Sequence, residues 1–276
     1  MNLRQKYCIG LEARMGRMPH ADIGALVQTG PEEVRKQGRT LDRNGYMAFG
    51  PAWLDIVIAG LATRGPLRAL QVGANDGKEG DPVNQLFHLY AEHIILVEPI
   101  PELIPKLKES YADFDGQLAI ENCAICNGSD RFILWRLKPD YWPSYIERVG
   151  RHPTAITSFD PAPLLAKVID RMDVNQQDAQ AMIEELDCPA ISIEDLLNQH
   201  QWKSLDVLQV DAEGYDFEVI KSLGRFRPSI INFESFNLSR EAWSEWKRWA
   251  EEEGYGYIQG RMDTLAIRGS HFAIEY

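Results

Sequence analysis

Short, continuous runs of apolar residues recur along the chain from residue 68 onward, separated by polar stretches and turn residues. Most of these runs are too short for a helix, and apolar and polar residues do not alternate within them. Such runs predict strands that are buried on both faces, as in a parallel sheet. The predicted strands cover residues 68–72, 94–97, 118–125, 132–135, 206–210 and 229–233.

Between these strands the sequence predicts helices, because the stretches there are longer and are bounded by helix-ending glycine and proline. The predicted helices cover residues 51–61, 101–110, 163–171, 176–185, 217–223 and 239–253. Asp81 followed by Pro82 predicts one more helix start, since aspartate caps a helix and proline fits its first turn. This alternation predicts an α/β fold with helices on both faces of a mostly parallel sheet.

The chain ends in a different pattern. Two final strands are predicted at 256–259 and 264–268, and their connection is too short for a crossover, so they should form an antiparallel hairpin. The rhythm of strands and helices also breaks at residues 139–190. We therefore expect an N-terminal helical extension over 1–60 and a main domain over 61–276, with a helical insertion or cap at about 139–190.

Composition and charge narrow the class of protein. With 45% hydrophobic and 25% charged residues among 276, the sequence is that of an ordinary globular protein. A net charge of −12, from 41 acidic and 29 basic residues, disfavours nucleic acid as a partner. Apolar runs are too short to span a bilayer, the basic start lacks the apolar core of a secretory signal, and four cysteines are too few for a disulfide scaffold. We expect a cytoplasmic protein that acts on a small molecule, without nucleic-acid or membrane partners, and leave a homodimer open.

Ligands of open α/β sheets bind beyond the carboxyl ends of the strands, so the residues after each strand are candidates for a site. The first predicted strand is followed by Gly-Ala-Asn-Asp-Gly at 73–77. Gly73 and Gly77 allow a close backbone approach and a second sharp bend. This loop lacks the G-x-G-x-x-G pattern typical of pyrophosphate binding, and Asp76 suits a zwitterionic amino-acid group better. The alternative is a tight turn without function.

Glu98 follows the second strand, within Val97-Glu-Pro99. A carboxylate at this place can accept hydrogen bonds from both ribose hydroxyls of an adenosine. This feature does not separate cofactors that share that ribose. The alternative is a helix-capping or surface glutamate.

Acidic residues also follow two later strands. Asp211 and Glu213 are two residues apart after the strand at 206–210 and can project to the same side, and Glu234 ends the strand at 229–233. Carboxylates there can orient a substrate, take a proton or hold a divalent cation, whereas the alternative is a solvated rim. His152, in the inserted segment, is a further candidate for a base, with a loop residue without function as the alternative.

Two further patterns carry structural expectations. Cys123 and Cys126 have the spacing of a redox or half-zinc pair, but no second pair and no nearby histidine accompany them, so two buried thiols are predicted. Trp243, Trp246 and Trp249 recur every three residues on the last predicted helix and are expected to pack on the sheet.

These residues resemble the FkbM-type methyltransferases, and the order and spacing of the motifs agree over roughly residues 65–270, whereas the first 50 residues match poorly. The most specific piece is the Asp-x-Glu-Gly strand end, which follows an Asp-Leu-Leu helix. The matching pieces are Leu70-Gln-Val-Gly-Ala-Asn-Asp-Gly77, Val97-Glu-Pro99, Asn122-Cys-Ala124, Ile191-Ser-Ile-Glu-Asp-Leu-Leu197, Asp206-Val-Leu-Gln-Val-Asp-Ala-Glu-Gly-Tyr215 and Phe233-Glu234. The resemblance implies a class I methyltransferase fold, a Rossmann-like open sheet that also ends in an antiparallel strand.

The resemblance further implies methyl transfer from S-adenosylmethionine, usually to a hydroxyl oxygen. The loop that contains Asp76 would lie near the methionyl part, Glu98 would bind the ribose, Ala124 would lie near the adenine, and Asp211 would border the reacting end. The expected cofactor-binding residues are Gln71, Gly73, Ala74, Asn75, Asp76, Gly77, Asp81, Glu98, Pro99, Ala124 and Asp211. The candidate catalytic residues, one of which would take the proton of a sugar or natural-product hydroxyl, are Asp211, Glu213, Glu234 and His152.

The sequence departs from the family pattern at Gln209, where members often have lysine, and residues 139–190 are longer and more helical than in compact members. Three alternatives stay open. A nicotinamide-dependent oxidoreductase would need the missing glycine-rich phosphate loop, and a catalytically inactive, methyltransferase-like binding module would keep the same residues. A metal-dependent O-methyltransferase would use the acids as ligands, although no metal site is predicted because no histidine joins them at suitable spacing.

Overall fold

Most of the predicted N-terminal extension, residues 1–60, lies outside the part of the chain that the structure describes. Its described part comprises an antiparallel pair of two-residue strands and one helix that begins at Pro51. The computed structural model describes residues 40–41, 47–48, 51–78, 81–270 and 273–274.

Strands and helices alternate along the described chain. The strands are β1 Thr40–Leu41, β2 Met47–Ala48, β3 Leu67–Val72, β4 Ala91–Val97, β5 Gln117–Glu121, β6 Ala124–Ile125, β7 Arg131–Leu137, β8 Ile183–Ile191, β9 Val207–Val210, β10 Ile230–Glu234, β11 Tyr255–Gln259, β12 Asp263–Arg268 and β13 Ala273–Ile274. The helices are α1 Pro51–Ala62, α2 Asn84–Tyr90, α3 Ile104–Ser110, α4 Trp142–Val149, α5 Pro161–Met172, α6 Gln176–Met182, α7 Ile193–Gln199, α8 Asp216–Lys221 and α9 Arg240–Glu252. Short 3-10 turns cover Pro101–Leu103, Pro139–Tyr141 and Pro153–Ile156.

The central sheet follows the order β13-β11-β12-β10-β9-β3-β4-β5. Strands β3, β4, β5, β9 and β10 run parallel, whereas β12 is antiparallel to both β10 and β11, which confirms the predicted hairpin. The chain order reverses between β3 and β9, since β3 to β5 extend the sheet one way and β9 to β10 the other. Ligands of doubly wound sheets bind at this switch point.

Helices cover both faces of the sheet, because alternate residues of each strand point to opposite faces. Ala69 of β3 shares an apolar cluster with Ile58 of α1. Its neighbour Leu70 belongs to the cluster on the other face, which includes helices α7, α8 and α9. Trp246 of α9 is fully buried in that cluster and stacks on Trp243, so the prediction that these tryptophans pack on the sheet is confirmed.

The predicted strand over residues 118–125 is interrupted. β5 ends at Glu121, and β6 begins at Ala124 and joins β8 and β7 in a separate three-stranded sheet. Between them, the Nδ2 of Asn122 donates a hydrogen bond of 2.8 Å to the backbone oxygen of Glu98. The apolar run at residues 118–125 therefore contributes one strand to each of two sheets.

The predicted helix over residues 176–185 is too long. Helix α6 ends at Met182, and β8 begins at the next residue and pairs antiparallel with β7. Glutamates such as Glu184 favour a helix in isolation. Here the ladder with β7 and a 2.9 Å hydrogen bond from Arg136 Nε to Glu184 override that preference.

We use insertion as a label for residues 131–191, which run from β7 to β8 and contain the segment predicted as an insertion at about 139–190. Tyr145 of α4, a helix that the sequence did not predict, packs with Leu164 of α5 in an apolar cluster of the insertion's own. The Nη1 of Arg136, from β7, donates a 2.7 Å hydrogen bond to Glu102, which lies just after β4. The insertion is thus tied to the main sheet close to the switch point.

Helix α2 begins at Asn84, so Pro82 precedes the helix rather than occupying its first turn, which corrects the predicted start. Asp81 is nevertheless an acceptor for this helix. Its Oδ1 accepts hydrogen bonds from the amides of Val83, at 2.7 Å, and Asn84, at 3.0 Å. A bend before the helix brings both amides to one carboxylate oxygen.

Candidate functional site

The ends of β3 and β9 meet at Gly73. Its φ is +76°, and a Cβ on this residue would overlap the backbone oxygen of Asp211. The amide of Asp211 donates a 2.9 Å hydrogen bond to the backbone oxygen of Val72. Only glycine combines this left-handed conformation with such a close approach.

We call residues 73–78 the glycine loop. Each of its amides already donates a hydrogen bond within the protein. The acceptors are Val97 O for Gly73 and Ala74, Glu98 Oε2 for Asn75, Asn75 Oδ1 for Asp76, Ala74 O for Gly77 and Asp76 Oδ1 for Lys78. Phosphate-binding loops instead direct unpaired amides at the anion. The glycine loop therefore offers no amide that is free to hold a pyrophosphate.

Glu98 lies buried directly after β4. Its Oε2 accepts from the amide of Asn75 at 2.8 Å and its Oε1 from the amide of Ile100 at 2.9 Å. Burial raises the pKa of Glu98 to about 7 against the effect of these two hydrogen bonds, and the charge of Asp211 adds to the rise. Each carboxylate oxygen keeps a second lone pair, so Glu98 can still accept from a pair of ligand hydroxyls.

Asp211 and Glu213 stand together after β9. Burial among protein groups, and then the charges of Glu234 and Asp263, raise the pKa of Asp211 to about 7. Burial and the charge of Asp211 raise the pKa of Glu213 to about 8, and Lys167 of α5 opposes this rise from 3.7 Å. Glu213 also has a φ of +49°, which is uncommon for a residue with a side chain and typical of functional sites.

Glu234 ends β10 next to this pair of acids. It accepts a 2.6 Å hydrogen bond from the Nδ2 of Asn237 and pairs in register with Asp263 of β12. Burial raises the pKa of Glu234. The charge of Glu234 acts on nearby Asp211, whose pKa it raises. Glu234 does not line the cavity described below.

Asp216 holds the loop that carries these acids, a role that was not predicted from the sequence. The side chain is fully buried and accepts hydrogen bonds from the amides of Ala212, at 3.1 Å, and Gly214, at 3.0 Å. Burial raises its pKa to about 8 despite these two bonds. An aspartate two residues after Gly214, at the start of a helix, is the signal that could have indicated a capping role.

His152 belongs to the insertion and contacts the glycine loop through one residue. Its Nδ1 lies 2.9 Å from the Oγ1 of Thr154, and its ring meets Trp142 edge-on. The same Oγ1 accepts a 3.2 Å hydrogen bond from the Nδ2 of Asn75. This hydrogen bond joins the insertion to the glycine loop.

A cavity of about 520 Å³ lies at the switch point, beneath the insertion, and its volume is typical of small-molecule sites. The sequence-predicted site residues that line it are Gly73, Asn75, Asp76, Glu98, Pro99, Ala124, His152, Asp211 and Glu213. Those that the structure places outside its wall are Gln71, Ala74, Gly77, Asp81 and Glu234.

The residues outside the wall support those inside it. Gln71 is buried in β3 and its Nε2 donates a 3.1 Å hydrogen bond to Asp81. Ala74 lies in the apolar cluster beneath the glycine loop. At Gly77, which has a φ of +68°, a Cβ would come within 2.7 Å of Leu107 of α3, so this glycine lets the loop pack on that helix.

The cysteine pair differs in exposure. Cys126 is buried, as predicted, whereas Cys123 is half-buried and lines the cavity. Burial, with the charge of Glu121, raises the pKa of Cys123 to about 12, so the thiol stays protonated at neutral pH. Thiolate is the reactive form of cysteine, and these thiols therefore act as packing groups.

Within the described ranges, no group of three or more histidine, cysteine, aspartate or glutamate side chains is arranged to hold a metal ion. The helices described by the structure also include none that is long and apolar enough to cross a membrane.

The sheet order, the antiparallel β12 and the cavity at the switch point together define a class I methyltransferase fold. A family model agrees with this class: the methyltransferase FkbM domain matches residues 71–257, more than half of the chain, and the chain belongs to that family. No curated protein matches the sequence.

Several solved structures are similar to this chain at low sequence identity. Methyltransferase FkbM from Methylobacillus flagellatus KT is 11% identical, with coverage of 92% of this chain and 63% of that chain and a TM-score of 0.43. A ribosomal protein L11 methylase from Lactobacillus delbrueckii subsp. bulgaricus is 13% identical over 80% and 79% of the two chains, with a TM-score of 0.39. An O-methyltransferase from Bacillus cereus in complex with SAH is 8% identical over 96% and 100%, with a TM-score of 0.37. The chain thus spans less than two thirds of the FkbM structure from M. flagellatus.

Proposed function

We propose that this protein transfers a methyl group from S-adenosylmethionine to a hydroxyl of a small molecule, such as a sugar or a natural product. One observation carries the proposal: a single cavity brings Glu98, at the end of β4, together with Asp211 and Glu213, at the end of β9. The first carboxylate suits a ribose, and the other two suit an acceptor that loses a proton. Membership of the FkbM family supports this assignment.

The residues present fit the proposed cofactor. The bare backbone of Gly73 leaves a cradle that a Cβ would fill, and Glu98 beside it offers acceptors for two hydroxyls. The lining also includes the apolar residues Ala124, Ile100 and Leu103, and apolar lining suits an adenine ring. Bound there, S-adenosylmethionine supplies a methyl group that its sulfonium already makes electrophilic.

The chain's own task is then to orient the acceptor and remove one proton. Asp211 and Glu213 have pKa values raised to about 7 and about 8, close to neutral pH, where a general base works best. Lys167 stabilises the ionised form of Glu213 from the insertion. We assign the role of general base to Glu213 or Asp211, with His152 as the alternative base. The charge of Glu234 contributes by raising the pKa of Asp211.

Aromatic side chains support a ring-containing acceptor. Tyr215, two residues after Glu213, lies 5.0 Å from Phe132 and 5.2 Å from Phe159 between ring centroids. All three rings line the cavity, and Phe159 is exposed. Aromatic walls with a few polar groups are typical of sites for sugars and small organic molecules.

Replacing Glu213 with glutamine should lower kcat by about 100-fold or more, because a general base contributes at least that much, and should leave affinity for S-adenosylhomocysteine unchanged. The measurement is steady-state turnover, with calorimetric titration of the product. Glu218→Gln is the matched control, since Glu218 lies on α8, pairs with Lys221 and does not line the cavity. Normal turnover in the Glu213 variant would remove this residue from the mechanism.

Turnover should rise with pH between about 6 and 9, because the base must lose its proton before it can accept one. The raised pKa values of Asp211, about 7, and Glu213, about 8, place the rising limb in this range. The charged groups that influence Glu213 are Asp211, Glu234 and Asp216, which raise its pKa, and Lys167, which lowers it. A kcat profile that is flat down to pH 5 would contradict the assignment of either carboxylate.

The acceptor class can be tested by incubating the protein with methyl-labelled S-adenosylmethionine and a panel of hydroxylated sugars and natural products. Labelled methyl ethers formed from acceptor hydroxyls by the wild type, and not formed by Glu213→Gln, would support the proposal. Label on nitrogen, carbon or RNA would contradict O-methylation, and cofactor binding without any transfer would favour the inactive binding module. Arms with magnesium and with a chelator test the metal-dependent alternative. The cytoplasmic location and the homodimer stay predictions.

A further inference from the structure

The cofactor proposed above is a zwitterion at its amino-acid end, and both charges need partners once they leave water. Asp76 of the glycine loop suits the ammonium. The carboxylate has no corresponding partner in this loop, because every amide from Gly73 to Lys78 already donates a hydrogen bond within the protein. A positive side chain elsewhere in the cavity would supply that partner.

The lining of the cavity offers one such side chain. Four carboxylates line it, those of Asp76, Glu98, Asp211 and Glu213, but of the described lysines and arginines only Arg151 does. Arg151 is exposed and makes no hydrogen bond or ion pair with the described residues. The nearby cations have partners: Arg148 with Asp173, Lys167 with Glu213 and Arg171 with the hydroxyl of Tyr145.

Arg151 also lies close in sequence to a contact between the insertion and the glycine loop. It follows Gly150, which ends α4 with a φ of +71°, and precedes His152. The ring of His152 contacts Thr154, and Thr154 accepts a hydrogen bond from Asn75. Arg151 is thus three residues from a direct contact between the insertion and the loop that carries Asp76.

We propose that Arg151 binds the carboxylate of the cofactor's amino-acid group, opposite Asp76, so that the insertion completes the cofactor site. This inference rests on the proposed function. A guanidinium presents two parallel N–H donors that match a carboxylate, and such charge-assisted pairs are stronger than neutral hydrogen bonds. The inserted segment would then contribute to cofactor affinity as well as covering the acceptor.

The test compares S-adenosylhomocysteine with its decarboxylated analogue, which keeps the amine and lacks the carboxylate, by calorimetric titration. Wild type should prefer S-adenosylhomocysteine by about 10-fold or more, the contribution expected of a hydrogen bond between charged groups. Arg151→Ala should lose that preference, binding the product about 10-fold more weakly and the analogue unchanged. Arg151→Lys should keep part of the preference for S-adenosylhomocysteine, since lysine retains the positive charge but lacks the two parallel N–H donors of the guanidinium.

Arg148→Ala is the matched control and should bind both ligands as wild type does, because Arg148 lies on α4 outside the cavity. An Arg151→Ala variant that binds S-adenosylhomocysteine normally, or loses both ligands equally, overturns the inference and leaves the proposed function intact. If the Arg151→Ala variant binds S-adenosylhomocysteine normally but loses turnover with acidic acceptors alone, Arg151 binds a carboxylate of the acceptor instead. Wild type that binds neither ligand overturns the proposed function and this inference with it.

Discussion

Replacing Gly73 with alanine is expected to destabilise the fold by about 3 kcal/mol or more and to abolish cofactor binding. The residue has a φ of +76°, and an added Cβ would overlap the backbone oxygen of Asp211. A left-handed conformation alone costs about 1–2 kcal/mol in a residue with a side chain, and forced overpacking adds about 1–3 kcal/mol. Urea unfolding measures the loss of stability, and calorimetry with S-adenosylhomocysteine measures the loss of binding.

Gly128→Ala separates these two effects. Gly128 has nearly the same φ, +77°, but nothing lies within 4 Å of the position that its Cβ would take. This variant should lose only the conformational contribution of about 1–2 kcal/mol and keep full affinity for the cofactor product. Equal losses of stability in the two variants would show that β3 and β9 do not meet at Gly73 as described.

Replacing Glu98 with alanine should weaken binding of S-adenosylhomocysteine by about 100-fold or more. The expected loss corresponds to two hydrogen bonds from ribose hydroxyls to a charged group, each contributing about 1.5–3 kcal/mol. The variant also removes the acceptors for the amides of Asn75 and Ile100, so the glycine loop should lose order. Calorimetric titration gives the affinity, and thermal melting separates loss of the fold from loss of binding.

Glu121→Ala is the matched control for Glu98. Glu121 ends the neighbouring strand β5, lies 2.9 Å from His200 and does not line the cavity. Its loss should leave affinity for S-adenosylhomocysteine within about twofold of wild type, since no ligand contact is removed. If Glu98→Ala bound the product as tightly as this control, the ribose would have to lie elsewhere.

The strands of the central sheet could be predicted from the sequence because each one is determined by the apolar residues within its own short segment. Strands buried on two faces require continuous apolar runs, and residues 68–72 and 206–210 have that pattern. The hairpin of β11 and β12 followed from a connection too short for any other geometry. The turn at Gly73 and Gly77 was also visible, because its unusual φ values are coded by the two glycines themselves.

The remainder depends on contacts that are distant in sequence. β8 forms because β7 pairs with its acid-rich start, and that pairing overrides a local preference for helix. The hydrogen bond that seats the insertion on the glycine loop joins Asn75 to Thr154, 79 residues apart. Arg151 has no local signal of its own, and the position of Asp216 at the start of a helix does not indicate which amides it accepts from. The roles of both residues follow from the amides and the cavity that they contact.

The most direct measurement is a calorimetric titration of the full-length protein with S-adenosylmethionine and S-adenosylhomocysteine, with NAD as the control. We expect both adenosyl compounds to bind with Kd values on the order of micromolar, through Glu98 and the glycine loop, and NAD not to bind. Binding of NAD, or no binding of either adenosyl compound to folded protein free of co-purified nucleoside, would contradict the assignment of this cavity to S-adenosylmethionine.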